Sequence, residues 1–191
     1  MTLPKPGMYL FGGSKPWLAQ SWVTSDDRVR GGASQSHLDD IADAPGAVCF
    51  HGNLDINALG GAGFASQRSP DSLHWDLSSR FAGLYLRIKE GDGKRYTLIV
   101  KDELLPKRPD GREQSTISYE YDFIGSTGDI DIAWKEFKPI YRGKPAPDAK
   151  PLDLANIKRV SIMMRSFFGD QEGSFKLQLE YIAAVEIQTG A

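Results

Sequence analysis

The sequence has one cysteine, three histidines and no excess of basic residues, and each of these shortages excludes a class of protein. Cys49 alone cannot form an internal disulfide bond, and no Asn-x-Ser/Thr sequon is present, which together favour a reducing intracellular compartment. His37, His51 and His74 do not have the spacing of a zinc site, so we expect no metal. With 23 Lys and Arg against 25 Asp and Glu, the formal net charge of −2 argues against nucleic-acid binding.

Long apolar runs and catalytic motifs are also missing. No run approaches the roughly 18 apolar residues of a membrane-spanning helix, so we expect no transmembrane segment. Cys49 lies in the short apolar segment 47–50, which is typical of a buried and unreactive thiol, although His51 is close enough along the strand to activate it. No Gly-x-Ser-x-Gly elbow or other nucleophile motif is present. The sequence therefore assigns no catalytic residue and leaves open whether the protein is an enzyme.

What the sequence does contain is many turn residues between short segments. Its 191 residues include 20 glycines and 11 prolines, and these are spread along the chain. The length is ample for one buried core, so we expect a single domain over residues 1–191, with a core at about 17–187 and an N-terminal arm at 1–16. Two proline-rich segments, 105–111 and 144–151, are predicted to be long surface loops.

Apolar and polar residues alternate along most candidate elements, which is typical of strands with one buried face. Residues 84–89 and 96–101 both alternate, and Gly91-Asp92-Gly93 between them predicts a β-hairpin. Helical periodicity is weak, with room for a turn or two at 38–42 and 151–156. The predicted fold is therefore all-β, a two-sheet antiparallel β-sandwich with long loops and little helix. Further strands are predicted at 47–55, 63–69, 117–123, 130–135, 157–166 and 174–187.

Several distinctive segments follow one another across residues 17–187. They are 25–34 (SDDRVRGGAS), 60–68 (GGAGFASQR), 75–77 (WDL), Trp134 with Phe137, and 157–168 followed by 173–175 (GSF). In this order and spacing they resemble the complex I intermediate-associated protein family. The resemblance implies a galactose-binding-like jelly roll, which agrees with the strand count. It also implies a non-catalytic, chaperone-like helper in the assembly of NADH:ubiquinone oxidoreductase, acting through protein contacts and without a cofactor.

The resemblance and the N-terminus predict different compartments. The family resemblance implies a mitochondrial protein. The first 20 residues, however, contain no arginine and include Pro4, Pro6 and Pro16, from which an amphipathic, Arg-rich transit helix cannot form. We therefore expect an intracellular protein, with the mitochondrion and the cytoplasm both open. The expected partners are subunits of respiratory complex I or a small polar or anionic ligand.

The densest candidate motif is Asp26-Asp27 followed by Arg30-Gly31-Gly32. The two glycines permit a tight turn in which backbone N–H groups point at an acceptor, so Asp27 and Arg30 are ligand-binding candidates. One alternative is a loop whose carboxylates accept local backbone hydrogen bonds. Another is a calcium site, for which two carboxylates are few because calcium prefers six or more oxygen ligands.

A second set of candidates consists of cationic side chains on predicted strands. Arg87, Lys101 and Arg165 lie opposite core stripes, and Arg159 is on the same stripe as Arg165. Arg68 shares a face with Phe64 and is either a sheet-face ligand or a salt-bridge partner at the margin of the core. If their strands share one sheet, its outer face gathers Arg87, Lys101 and Arg165 and could bind an anionic or polar ligand. The alternative is a solvated face on which Glu103, Glu120 and Glu180 are the counter-charges.

Aromatic residues give a third hypothesis. Tyr119, Tyr121 and Trp134 could stack on a sugar ring, as in carbohydrate-binding modules, but Ile117 and Phe123 on the tyrosine stripe favour a place in the core. Three functions thus remain: an assembly helper, a small-molecule binder or isomerase/cyclase-type enzyme, and a carbohydrate-binding module. A deep pocket over the cationic face would favour the second, and exposed rings would favour the third.

Overall fold

The computed structural model describes residues 6–187 and folds them into thirteen β-strands and four short 3-10 helices. The strands are β1 Pro6–Gly12, β2 Val23–Thr24, β3 Gln35–Asp40, β4 Val48–Leu54, β5 Phe64–Arg68, β6 Phe81–Gly91, β7 Arg95–Lys101, β8 Ser118–Ile124, β9 Gly128–Ala133, β10 Lys138–Tyr141, β11 Lys144–Pro145, β12 Arg159–Arg165 and β13 Gly173–Glu186. The 3-10 helices span Ala19–Ser21, Asp27–Arg30, Trp134–Glu136 and Leu154–Asn156. Within this part of the chain, no helix is long and apolar enough to cross a lipid bilayer.

Six strands form sheet A, with the long strand β13 at its centre. Five of these strands follow the order β3-β4-β13-β6-β9, and the sixth, β1, also pairs with β13. Every pair is antiparallel. The first half of β13, residues 173–179, pairs with β4, and its second half, residues 181–185, pairs with β1. The segment Pro6–Gly12, which the sequence placed in an N-terminal arm, is therefore a strand of sheet A.

Seven strands form sheet B, which is also antiparallel, in the order β11-β10-β8-β7-β12-β5-β2. Sheets A and B pack face to face because each strand with an alternating pattern turns its apolar residues inward. The two-sheet antiparallel β-sandwich predicted from the sequence is confirmed. Fully buried side chains from both sheets fill the interior, among them Phe50, Leu84, Leu86, Ile88, Tyr96, Leu98, Val100, Val160, Ile162, Met164, Leu177, Leu179 and Ile182.

The predicted hairpin around Gly91-Asp92-Gly93 is wrong, because its two strands belong to different sheets. β6 pairs with β13 and β9 in sheet A, whereas β7 pairs with β8 and β12 in sheet B. Asp92 stabilises this crossing, since its Oδ2 accepts hydrogen bonds from the Tyr96 hydroxyl and the Lys176 backbone N–H, both at 2.9 Å. Alternation shows which face of a strand is buried but not which neighbour it pairs with.

The short helix considered at 38–42 is also absent, and β3 occupies most of that segment. Ser36 and Leu38 are buried while their neighbours are exposed, which is the alternation of a strand. The turn expected at 151–156 is present as the 3-10 helix Leu154–Asn156, and Asp153 caps it by accepting a hydrogen bond from the Ala155 N–H. The segment 144–151, predicted to be a loop, begins with the short strand β11.

Candidate functional site: the outer face of sheet B

Alternate residues of β5, β7, β8 and β12 point away from the core and form the outer face of sheet B. Three of the four predicted cations, Arg68, Lys101 and Arg165, lie on this face. Arg159 lies there as well, directly opposite Lys101 on the neighbouring strand. The sequence placed Arg159 on the same stripe as Arg165 but did not count it as a site residue.

Arg87 does not belong to this group, because β6 is a strand of sheet A. The proposed gathering of Arg87 with Lys101 and Arg165 on one face is therefore wrong. Arg87 instead pairs with Asp129 on β9, with N–O distances of 2.6 and 2.7 Å, and its Nε lies 3.7 Å from a carboxylate oxygen of Glu180. The physical reason is again sheet membership, which a single strand pattern does not specify.

Two carboxylates hold Arg68 and Arg159 at one end of the face. Arg68 contacts Asp71 at 2.6 Å and Glu113 at 2.8 Å, and Arg159 contacts Glu113 at 2.9 Å and also hydrogen-bonds Asp71. Both arginine side chains are at least nine-tenths buried, because the segment between β7 and β8 carries Glu113 over the sheet. Burial is expected to strengthen such multiply hydrogen-bonded pairs relative to surface pairs.

The two arginines also change the pKa of the Asp71 carboxylate. Burial by itself would raise the pKa of Asp71, but hydrogen bonds and positive charge from Arg159 and Arg68 outweigh that effect and lower the pKa. Asp71 is therefore held in its charged form by the two arginines.

A second ion-pair cluster lies further along the same face. Arg165 contacts Glu120 and Asp122 on β8, each at 2.7 Å, and Asp122 also accepts a hydrogen bond from the Thr97 hydroxyl at 2.6 Å. An open cleft of about 520 Å³ lies beside this cluster, between β8 and β10, and its lining includes Tyr121 and Lys138. The charges of this second cluster are thus paired with one another.

Lys101 is the exception to this pairing. Its ammonium nitrogen donates a hydrogen bond to Thr116 Oγ1 at 3.0 Å, and no carboxylate within residues 6–187 lies within 4.0 Å of it. Burial lowers the pKa of Lys101, and the nearby positive charge of Arg159 lowers it further, although Glu113 and Glu120 act in the opposite direction. Lys101 lines a second cleft of about 350 Å³ together with Arg159 and Thr116.

Asp27 and Arg30, the remaining candidates, lie at the Phe64 end of this face, and neither is part of its two ion-pair clusters. Asp27 is fully buried and accepts hydrogen bonds from the Ser34 N–H, the Ser34 hydroxyl and the Phe64 N–H. Arg30 is exposed and stacks over the Phe64 ring at 5.6 Å. The Asp27 carboxylate is thus used within the fold, but its partners are 7 and 37 residues away, so the alternative of local hydrogen bonds holds only in part. In the described residues, no cluster of three or more His, Cys, Asp or Glu side chains is arranged to hold a metal.

The aromatic candidates for sugar stacking are buried or partly buried against the core. Tyr119 is buried and donates its hydroxyl proton to the Lys150 carbonyl at 2.7 Å. Tyr121 and Trp134 are partly buried against the core, and the indole N–H of Trp134 donates to the Phe81 carbonyl at 2.9 Å. The rings of Tyr119 and Trp134 are therefore held by the fold, whereas the partly buried Tyr121 also lines the open cleft between β8 and β10.

In addition to Arg159, sequence reasoning missed three residues that contact the outer face: Asp71, Glu113 and Thr116. Each lies in a loop, and Glu113 is 46 residues from the arginine it contacts on β12. No spacing rule connects residues at such separations, so only the fold could show that they meet. The one usable signal was the stripe that Arg159 shares with Arg165.

A known family matches most of the chain. The family model described as complex I intermediate-associated protein 30 matches residues 10–179. A protein of Schizosaccharomyces pombe (strain 972 / ATCC 24843), described as uncharacterized, is 43% identical over 185 residues, which cover 93% of this chain and 84% of that protein. The family resemblance carried by the sequence segments is confirmed.

Solved structures with the same architecture come from carbohydrate-binding modules. The family 11 module of the cellulosomal cellulase Lic26A-Cel5E of Clostridium thermocellum superimposes with a TM-score of 0.61 at 13% identity, covering 98% of this chain and 96% of that one. A family 11 module from Clostridium thermocellum in complex with a β-1,3-1,4-mixed-linked tetrasaccharide gives a TM-score of 0.57 at 15% identity, with coverages of 83% and 88%. At such identities the likeness confirms the jelly-roll fold alone, because one fold hosts many functions.

Proposed function

The chain belongs to the complex I intermediate-associated protein 30 family, and from this premise we propose that it acts in the assembly of NADH:ubiquinone oxidoreductase. In this role it contacts proteins of the assembling complex and catalyses no reaction itself. The proposal places the protein in the mitochondrion during that work. The observation that best supports this role is the exposed ring of Phe168, which lies in a loop.

Phe168 lies almost wholly in solvent, with 94% of its surface exposed. Its φ is +62°, and it lies between Phe167 at +47° and Gly169 at +94°. A left-handed conformation costs a non-glycine residue roughly 1–2 kcal/mol, so two adjacent phenylalanines are held in an unfavourable backbone. Strain of this kind persists where the surroundings impose it and is frequent at functional sites.

The surroundings of the Phe168 loop are well ordered by specific contacts. The Ser166 N–H donates to the Gly63 carbonyl at 3.0 Å, and the Ser166 carbonyl accepts from the Gly169 N–H at 3.1 Å. The Phe167 ring is covered by two guanidinium groups, Arg95 at 3.4 Å and Arg165 at 4.8 Å from the ring centre. Phe167 is thus fixed to the domain, while Phe168 is turned outward.

Neighbouring loops add further apolar surface at this end of the sandwich. Gly63 ends the loop before β5, and the Phe64 N–H that follows it is bound by Asp27 in the Asp27–Arg30 turn. Val29 in that turn is 77% exposed. Exposed aromatic residues in ordered loops are typical anchors of protein interfaces, where a few such residues provide most of the binding energy.

The test is capture of partners from mitochondrial extract with the wild-type chain and with Phe168→Ala. We expect the wild-type protein to recover subunits of NADH:ubiquinone oxidoreductase at near-stoichiometric levels and Phe168→Ala to recover much less. Leu18→Ala is the matched control, because Leu18 is also apolar, 60% exposed and at positive φ. Recovery of no complex I subunit, together with staining confined to the cytosol, would overturn the assembly role. Equal recovery by all three proteins would overturn the role of Phe168.

A further inference from the structure

The cleft beside Lys101 contains more hydrogen-bond donors than acceptors. The Lys101 ammonium has three N–H groups and uses one of them, toward Thr116 Oγ1 at 3.0 Å. The buried Nε of Arg159 has no hydrogen-bond partner among the described residues. The carboxylates of Asp71 and Glu113 are each already shared between two arginines. An incoming group that accepts hydrogen bonds would correct this imbalance.

The formal charges show the same imbalance. Three cations, Lys101, Lys107 and Arg159, line the cleft against the two carboxylates of Asp71 and Glu113. Arg68 lies against the same two carboxylates and adds a fourth positive charge. Glu113 and Glu120 act on Lys101 from a distance, but no carboxylate of the described residues contacts its ammonium, and a bound anion would supply that contact.

One wall of the cleft is apolar. It is formed by Leu104, Leu105 and Pro106, in the segment that follows β7, and Gln114 lies beside it with its side-chain amide donating to the Pro106 carbonyl at 2.8 Å. The volume of about 350 Å³ lies within the range of small-molecule sites. A cationic end and an apolar wall together fit a small molecule that carries an oxyanion on a short apolar body.

From this geometry we propose that the Lys101 cleft binds a small organic anion, with Lys101 and the Thr116 hydroxyl contacting its carboxylate or phosphate group. The apolar body of the ligand packs on Leu104 and Leu105. The Thr116 hydroxyl, which accepts from Lys101, can donate its own proton to the anion. The site lies on the outer face of sheet B and is independent of the Phe168 loop, so it does not rest on the assembly role.

Binding is tested by titrating the full chain with phenyl phosphate and, separately, with benzoate. The titrations are followed by calorimetry and by the nuclear magnetic resonance signals of the Lys101 and Thr116 amides. Sodium chloride at equal ionic strength is the control for nonspecific screening. We expect at least one of the two anions to bind and to shift both resonances. A response to phenyl phosphate alone assigns a phosphate group as the natural head, and a response to benzoate alone assigns a carboxylate.

Lys101→Met separates the proposed site from general charge effects. Loss of one charge-assisted hydrogen bond is expected to weaken binding by about tenfold or more. Lys15→Met removes an exposed lysine outside the cleft lining and should leave binding unchanged. If Lys101→Met fails to fold, Thr116→Val serves in its place and is expected to weaken binding while Lys101 is retained. Absence of binding by both anions, or equal affinity in the wild-type and Lys101→Met proteins, would overturn the proposal.

Discussion

Asp26 and Ser36 are joined by two hydrogen bonds, from the Ser36 hydroxyl to Oδ1 at 2.6 Å and from the Ser36 N–H to Oδ2 at 2.9 Å. The next residue repeats the contact, because Asp27 binds the hydroxyl and the N–H of Ser34 at 2.7 and 3.0 Å. Oδ1 of Asp26 also accepts from the Ser66 N–H at 2.9 Å. Ser36 belongs to sheet A and Ser66 to sheet B, so the two aspartates connect the sheets.

Replacement of Asp27 by alanine should destabilise the protein strongly. The Ser34 N–H loses its acceptor in a buried position, and the Phe64 N–H loses its acceptor in a partly buried one. Each buried donor without a partner costs about 1–3 kcal/mol, so we expect a loss of about 3 kcal/mol in the free energy of unfolding, measured with urea. Asp148→Ala, at an exposed site, should change it by less than about 0.5 kcal/mol. Similar losses in the two variants would contradict this account of Asp27.

Gly32 should not tolerate alanine, because a Cβ there would lie 2.2 Å from Asp27 Oδ1. We expect Gly32→Ala to lower the free energy of unfolding by about 2 kcal/mol or more, since it displaces a buried carboxylate from its donors. Gly46→Ala is the comparison, because Gly46 has a φ of +87° but no atom within 4 Å of the added Cβ. Its cost should be about 1 kcal/mol, from the backbone alone. A smaller loss for Gly32→Ala than for Gly46→Ala would contradict the expected clash with Asp27.

Acid should weaken the ion pairs of Asp71. The pKa of Asp71 is lowered in the folded protein from its ordinary value of 3.8, so its contribution to stability is fully present above that value. The contribution is lost as the pH falls below about 3.8 and through the folded pKa. Asp71→Asn should therefore lower stability at pH 7 and flatten the decline on the acid side, as measured by thermal unfolding from pH 7 to pH 2.5. An unchanged acid decline in Asp71→Asn would show that other carboxylates dominate it.

Cys49 should react slowly with thiol reagents in the folded state. Burial raises the pKa of the Cys49 thiol above its ordinary value of 9.0, and Asp39 and Glu90 add to the rise, while Lys176 opposes it. Less thiolate is then present at pH 8, and the thiolate is the reactive form. We expect alkylation by iodoacetamide to be several-fold slower than in urea-unfolded protein at the same pH. A faster rate in the folded protein would indicate an activated thiol, and His51, two residues further along β4, would then be examined by substitution.

The fold class was accessible from sequence because a strand with one buried face must alternate with period two. The predicted strands at 47–55, 63–69 and 157–166 correspond within one or two residues to β4, β5 and β12. Strands with short or mixed patterns, such as β1, β3 and β10, were missed because their alternation is brief or interrupted by glycine and proline.

The candidate site was accessible only in part. The position of Lys101 and Arg165 opposite a core stripe follows from alternation and holds in the structure, and Arg68 takes the role of a salt-bridge partner, one of its two predicted alternatives. Their counter-charges differ from those expected: Glu120 is one of them, but Glu103 is not, and Asp71 and Glu113 come from loops. Loop conformation depends on packing with distant elements, so no local rule places a loop carboxylate on a given strand.

The sequence by itself determined the all-β class, the family and the faces on which the charged side chains lie. The class and the faces follow from alternation along each strand, and the family follows from the succession of short segments along the chain. Only the tertiary structure decided which sheet each strand joins. That assignment separated Arg87 from Lys101 and placed the two strands of the expected hairpin at residues 91–93 in different sheets. It also left the Lys101 ammonium with no carboxylate of residues 6–187 in contact with it. The physical reason is that sheet pairing and ion pairing are long-range contacts, as between Asp71 and Arg159, which are 88 residues apart.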